Sequence, residues 1–367
     1  MTTKSKTLVV LILGVWIASG LHAQDAPRNT LLVLAKGDNM LAIVDPSSRQ
    51  VLARIAVGND PHEVIASADG KTAYVSNYGF GAYNTITVVD LVARKTVSTI
   101  DLGALRGPHG LALAGGKIWF TAEAAKAIGS YDPATKNIDW IFGTGQNRTH
   151  MIYVSPDLKR IVTTNVSSGT VSIIEKVIGG RGPGGPMPGG PMPSNTMSGG
   201  PPPGGPRGPG GPRGAPGGDW NQTVVAVGEG SEGFDVSRDG AEIWVGNAQD
   251  GTVSIVDVAS KKVTQTLAAD VRGANRLKFT PDGTLAFVST LGGPDVTVID
   301  RASRKIVKRI PVGHGAAGII MQPDGARAFV ACSPDGYVAV IDLQSLEVVG
   351  HIEVGAGPDG LAWVTRP

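Results

Sequence analysis

Three histidines occupy equivalent places in a recurring phrase of this chain: His62 in GNDPHEV, His109 in RGPHGLAL and His150 in NRTHMIYV. Aligning every segment of that form on its first apolar residue extends the column to Glu232, Asn275, Ala317 and Asp359. Neutral imidazoles joined by a carboxylate or water suit Zn, Cu, Ni or Fe. An open position on such an ion would polarise a carbonyl or activate water, and without a metal the same side chains are acid–base groups. Arg106, Arg148 and Arg272 precede the column and Arg276 follows it. Guanidinium groups there suit a carboxylate, phosphate or lactone; the alternative is pairing with Asp60, Glu63, Glu123, Glu232 or Asp270. For the column as a whole, the alternative to a metal or anion site is a solvated channel mouth. His314 lies just upstream of the column, whereas His351 falls in an outer strand.

The elements that would bring these residues together come from a repeat. GNDPHEVIASADGKTAYV (58–75) returns as LRGPHGLALAGGKIWF (105–120), NRTHMIYVSPDLKRIVTTN (147–165), GSEGFDVSRDGAEIWVGN (230–247), GANRLKFTPDGTLAFVST (273–290), AAGIIMQPDGARAFVAC (316–332) and AGPDGLAWV (356–364). A period of about 40 residues marks an array in which each unit buries its face against the next. Within a unit, four short runs alternate apolar and polar residues between Gly, Pro, Asp and Asn turns, which is strand patterning. The third run occurs seven times, at 42–45, 87–90, 129–132, 172–175, 254–257, 297–300 and 339–342. The first unit lacks an inner strand and the last segment is an inner strand alone, so the two ends complete one blade. That closure predicts an all-β ring, a seven-bladed β-propeller of four-stranded blades in which the column residues surround one mouth of the channel.

Most of the repeated polar residues have structural roles. The terminal aspartates of the third runs (Asp45, Asp90, Asp257, Asp300, Asp342) are expected to make Asx turns, and Asn77, Asn165 and Asn247 to cap the loops that follow the second runs. The Pro-Asp-Gly turns at 281–283 and 323–325 set hairpins. Trp119, Trp244 and Trp363 read as core between blades. The loop NYGFGAYN (77–84) carries Tyr78, Phe80 and Tyr83 to the column's face, to stack on a ring-shaped ligand or to pack across the next blade.

YVSN at 74–77, with WVGN (244–247), FVST (287–290) and IVTTN (161–165), resembles the YVTN-repeat family of seven-bladed β-propellers over nearly all of residues 30–364. The resemblance implies the fold and no particular activity. The chain is similar, more loosely, to seven-bladed lactonases, through Pro-His before the inner strand and the Pro-Asp-Gly turn; that similarity implies a lactonase-like hydrolase.

Residues 1–23 combine Lys4 and Lys6, an apolar run from Leu8 to Ile17 and a small-residue end at Ala23, which reads as a secretory signal peptide. The run is shorter than the roughly 20 residues a spanning helix needs, so no transmembrane segment is expected and the mature protein would be periplasmic or extracellular. Losing Lys4 and Lys6 takes the formal charge from +2 to zero, which argues against nucleic acid as a partner. Cys332 alone cannot form an internal disulfide, and an inert, half-buried thiol is expected. Residues 24–367 form a single domain interrupted by a Gly/Pro-rich insert at 179–218, whose composition predicts disorder and whose place in a third-to-fourth-strand hairpin predicts a tether on the far face. No Gly-X-Ser-X-Gly, Walker, CxxCH or HExxH pattern occurs. The expected function is an exported, monomeric binding module that recognises a small ligand or an exported protein at the channel mouth. Its site residues would be His62, His109, His150, Arg106, Arg148, Glu232, Arg272, Asn275 and Asp359, and its metal ligands, if any, His62, His109 and His150. The alternative is a lactonase-like hydrolase or metal-assisted oxidoreductase using the same histidines.

Overall fold

The computed structural model describes residues 28–177 and 220–366. The signal-like segment 1–23 and the insert at 179–218 lie outside the described residues. The strands form seven antiparallel sheets of four, each running in chain order from an inner to an outer strand except the first. There the inner strand is the C-terminal segment Pro358–Thr365, paired with Asn29–Ala35 through Thr30↔Val364 and Leu31↔Trp363. Blade 1 is thereby completed by the two ends of the chain, and the ring closes as the repeat predicts. Among the described residues no helix is long and apolar enough to cross a membrane.

Burial follows strand position. The second and third strands are sandwiched between neighbouring blades and nearly fully buried, as in Leu31–Ala35 and Leu41–Val44. Outer strands such as Lys95–Asp101 keep polar residues in water. The core consists of seams between blades: Leu32, Leu34 and Leu41 of blade 1 pack on Val64 and Val75 of blade 2. Trp119 and Trp244 belong to these seams, while Trp363 is partly buried against Phe329, 5.8 Å away.

The third-strand aspartates make the expected turns; Asp90 accepts from the Val92 and Ala93 N–H groups, each at 2.8 Å. The second-strand asparagines act through side chains of the returning strand. Asn77 donates to Thr85 at 2.9 Å and Thr87 at 3.0 Å, and Asn165 to Thr170 at 3.1 Å and Ser172 at 3.0 Å. Cys332 is fully buried instead of half-buried, because it ends a second strand inside a seam. Burial, with Asp335 nearby, pushes its thiol up to about 12.

Three devices fix the inner strands at the channel mouth. In blades 2 to 7 the inner strand is irregular around its second and third residues, breaking register with its neighbour; such bulges re-aim side chains. In blades 2, 3, 4 and 6 a hydroxyl at the fifth position of the second strand (Ser76, Thr121, Thr164, Ser289) occupies the gap. Ser76 accepts from the Glu63 N–H at 3.0 Å and donates to the His109 carbonyl of the next blade at 2.9 Å. Thr121 does the same for Gly110, at 2.9 Å, and the His150 carbonyl, at 2.8 Å. Thirdly, the inner strands approach so closely that a Cβ on Gly360 would stand 2.3 Å from the His62 carbonyl oxygen, and one on Gly318 2.2 Å from that of Asp359.

Candidate functional site

His62, His109, His150, Glu232, Asn275, Ala317 and Asp359 are each the second residue of an inner strand. They ring one mouth of the channel and line a cavity of about 490 Å³. Two positions earlier the backbone is left-handed in every blade: Gly107, Gly230, Gly273, Gly315 and Gly357 supply it in five, Asp60 (φ 50°) and Arg148 (φ 57°) in the other two. Glycine adopts this region without steric cost and other residues do not. Of these two, Arg148 lines the cavity and Asp60 lies behind it, 3.5 Å from both Lys36 and His62.

The histidine rings sit side by side, their planes tilted by 58° between His62 and His109 and by 34° between His109 and His150. His62 and His109 are 4.9 Å apart between centroids, His109 and His150 3.8 Å, and Tyr78 sets its ring edge-on to His62 at 4.8 Å and near-perpendicular to His109 at 5.0 Å. The Tyr78 hydroxyl donates to Glu123 at 2.5 Å. The other oxygen of Glu123 contacts His150 Nδ1, and His150 Nε2 faces Glu232 at 3.5 Å. Asn275 donates to Glu232 at 3.0 Å. Opposite, buried Arg276 pairs with Glu63 and donates to the Asn275 carbonyl at 3.0 Å. Lys36 bonds His62 Nε2 at 2.8 Å and lies 3.5 Å from Asp60 and 3.7 Å from Asp359.

Burial sets the proton affinities, and neighbours correct it. Burial, aided by the Lys36 ammonium, lowers His62 to about 4, and burial holds His109 well below the ordinary histidine value. His150 moves the other way, because its bonds to Glu123 and Glu232 outweigh a burial that would lower it. Burial would raise Glu232, but His150, with help from Arg148 and Arg276, brings it down to about 2. Asp359 is raised by burial despite Arg276 and Lys36.

The structure thus brings together His62, His109, His150, Glu232, Asn275, Asp359 and Arg148 as cavity-lining residues. Arg106 and Arg272 stay outside: both are exposed, the first bonded to the Ala82 carbonyl at 3.2 Å, the second to that of Gln249 at 2.5 Å. Each stands three residues before its column residue, where Arg148 stands two before His150, and reaches over neighbouring backbone. Of the arginines near the column, Arg148 and Arg276 line the cavity. His314 is 78% exposed and held by Asp335. In the aromatic loop Tyr78 is buried while Phe80 is 83% exposed at the cavity rim. Among the three histidines, His62 has Lys36 bonded to its Nε2 at 2.8 Å and Asp60 3.5 Å from its Nδ1.

Sequence reasoning missed Lys36 and the central place of Glu123. Both sit directly after second strands, Asn29–Ala35 and Lys117–Ala122, as Tyr78 follows Thr72–Asn77. Leu291 and Ser333 occupy the same position in blades 6 and 7 and also line the cavity. The repeat therefore carries a second column, Lys36, Tyr78, Glu123, Val166, Ala248, Leu291 and Ser333, visible by aligning the ends of the second strands.

Fold and site together define a seven-bladed β-propeller with a cavity at one channel mouth whose lining includes charged and imidazole side chains. No family model and no curated protein matches the chain. Among solved structures it is similar to a functionally unknown protein from Desulfotomaculum acetoxidans, at 13% identity and TM-score 0.67 over 92% of this chain and 99% of that one. A candidate 6-phosphogluconolactonase from Bacteroides fragilis aligns at 16% identity and TM-score 0.67, over 92% and 98%. The dihydro-heme d1 dehydrogenase NirN in complex with DHE aligns at 16% identity and TM-score 0.58, over 92% and 75%. These likenesses show the fold.

Proposed function

We propose that this propeller binds a small anionic, oxygen-rich molecule at its channel mouth, and that it does so as an exported protein of the YVTN-repeat family. One observation carries the reading. Lys36, Arg148 and Arg276 line the cavity beside two carboxylates, Glu232 and Asp359, whereas three further carboxylates that pair with these cations, Asp60, Glu63 and Glu123, do not. The lining carries three cationic groups against two carboxylates and offers N–H donors to the cavity, the groups that recognise carboxylate or phosphate. Its volume is that of a small-molecule pocket. Export rests on residues 1–23, and N-terminal sequencing of the mature protein should begin near Gln24.

The test is thermal unfolding against paired small molecules, each anion with its neutral counterpart: sugar phosphates, aldonic acids and lactones against the parent sugars. A ligand at a hundred times its Kd stabilises by about 2.7 kcal/mol, which raises the unfolding temperature visibly. Stabilisation by anions and not by their neutral counterparts supports the reading; equal or absent shifts overturn it.

Lactone hydrolysis is a second reading. It is favoured by imidazoles standing beside the guanidinium of Arg148 in a fold shared with two candidate 6-phosphogluconolactonases. An imidazole would take the proton of an attacking water while Arg148 stabilises the oxyanion. Acid release from lactones, followed in a pH-stat, tests it directly.

A further inference from the structure

We infer that His109, Glu123 and His150 form a binding site for a divalent transition ion of the zinc class, in the floor of the channel-mouth cavity. Each of the three offers one ligand atom, and these atoms lie within 4.8 Å of one another in a fully buried setting. Two imidazoles and a carboxylate are a zinc donor set; calcium and magnesium would call for oxygen ligands alone. Ligands bound tetrahedrally at about 2.1 Å stand roughly 3.4 Å apart, so loading the ion draws the set together by an ångström or so, within the reach of the Glu123 side chain.

Two further observations point to a ligand here. His109 Nδ1 is buried without any hydrogen-bond partner, although buried polar atoms are rarely left unpaired. The outer contacts of a metal centre are also in place. His150 turns Nδ1 toward Glu123 within the ligand set, and its Nε2 lies 3.5 Å from Glu232, a carboxylate placed as the outer partner of a metal-binding ring. Tyr78 fixes Glu123 from behind at 2.5 Å. His62 is excluded because Lys36 holds its Nε2, so the centre is not the ring of three histidines that the column suggests. His109 and His150 line the cavity while Glu123 does not, which leaves the open coordination position on the cavity side.

The site stands independently of the anion reading and is tested without any anion. Full-length mature protein, stripped with chelator and reloaded with Zn²⁺ or Co²⁺, is gel-filtered and its metal content measured alongside His109→Gln, Glu123→Gln and His62→Gln. Native protein and His62→Gln should each retain about one equivalent, and the other two variants should lose it. Co²⁺ should give the intense visible absorption of a four-coordinate site and paramagnetic shifts on the ring protons of His109 and His150. That spectroscopic readout uses native protein and holds even where a variant does not fold. Folded native protein that retains no metal overturns the inference, as does metal retained by both folded His109→Gln and Glu123→Gln, or cobalt shifts on His62 instead.

Discussion

The hydroxyl of Ser76 joins two blades at the channel mouth: it donates to the backbone carbonyl of His109 at 2.9 Å while accepting the N–H of Glu63 in its own blade at 3.0 Å. The His109 carbonyl is buried and the Glu63 N–H partly so, and removing the hydroxyl leaves both without this partner. Ser76→Ala should cost about 1–3 kcal/mol in urea unfolding. Ser76→Thr should be tolerated, because Thr121 and Thr164 hold the same position. An alanine variant as stable as the native protein would remove this bridge from the account.

Arg148 occupies a left-handed position (φ 57°) that five other blades give to glycine. Left-handed backbone costs an L-residue about 1–2 kcal/mol, and glycine returns part of that gain through the freedom of the unfolded chain. The ion pair with Glu123 is long at 3.7 Å and Arg148 is 41% exposed there, so its loss subtracts little. Arg148→Gly should therefore leave stability unchanged or raise it by up to about 1 kcal/mol, measured by chemical denaturation. A marked loss would mean that Arg148 is retained for the fold and not for the cavity.

Close approach of the inner strands predicts a contrast among glycines. Gly360→Ala drives a methyl group against the His62 carbonyl, and overpacking of this kind costs about 1–3 kcal/mol. Gly143, in the outer strand of blade 3, has nothing within 4 Å of its added Cβ. Gly143→Ala should be neutral or mildly stabilising in the same denaturation assay. Equal effects at the two positions would contradict the packing described.

A cluster away from the channel predicts the response to acid. Ser237 and Arg301 hold Asp239 well below the ordinary carboxylate value. Burial would raise Glu242, but Arg304 and Arg301 outweigh it and leave it lowered. Groups depressed in the folded state contribute stability above their unfolded values, near about 4, and that contribution is lost as pH falls through the folded values. Unfolding free energy should therefore decline as pH is lowered below about 5, and Arg301→Gln should flatten the decline. An unchanged slope in Arg301→Gln would rule out this cluster as a source of the acid sensitivity.

The ring, its closure and the column of inner-strand residues were legible because a repeat turns sequence register into spatial position. His62 and His109 are 47 residues apart and His109 and His150 are 41 apart, and they meet because each is the second residue of an inner strand. What the register does not encode is direction. Arg106 and Arg148 both belong to loops that deliver the chain to inner strands, but Arg106 reaches over Ala82 and Arg148 enters the cavity. Lys36 and the central place of Glu123 escaped because the inner strands alone were aligned, and the ends of the second strands were not. The division of the histidines, with His62 held by Lys36, depends on a residue from blade 1 whose approach no pattern within a blade reveals.

The central claim is that the channel mouth holds an anion among Lys36, Arg148 and Arg276. Calorimetric titration of the best stabilising phosphate or carboxylate into metal-free native protein and into Arg148→Gly tests it most directly. One site per chain in the native protein, weakened at least tenfold in a variant that remains fully folded, is the predicted result. Equal binding by both proteins, or none by either, would contradict it.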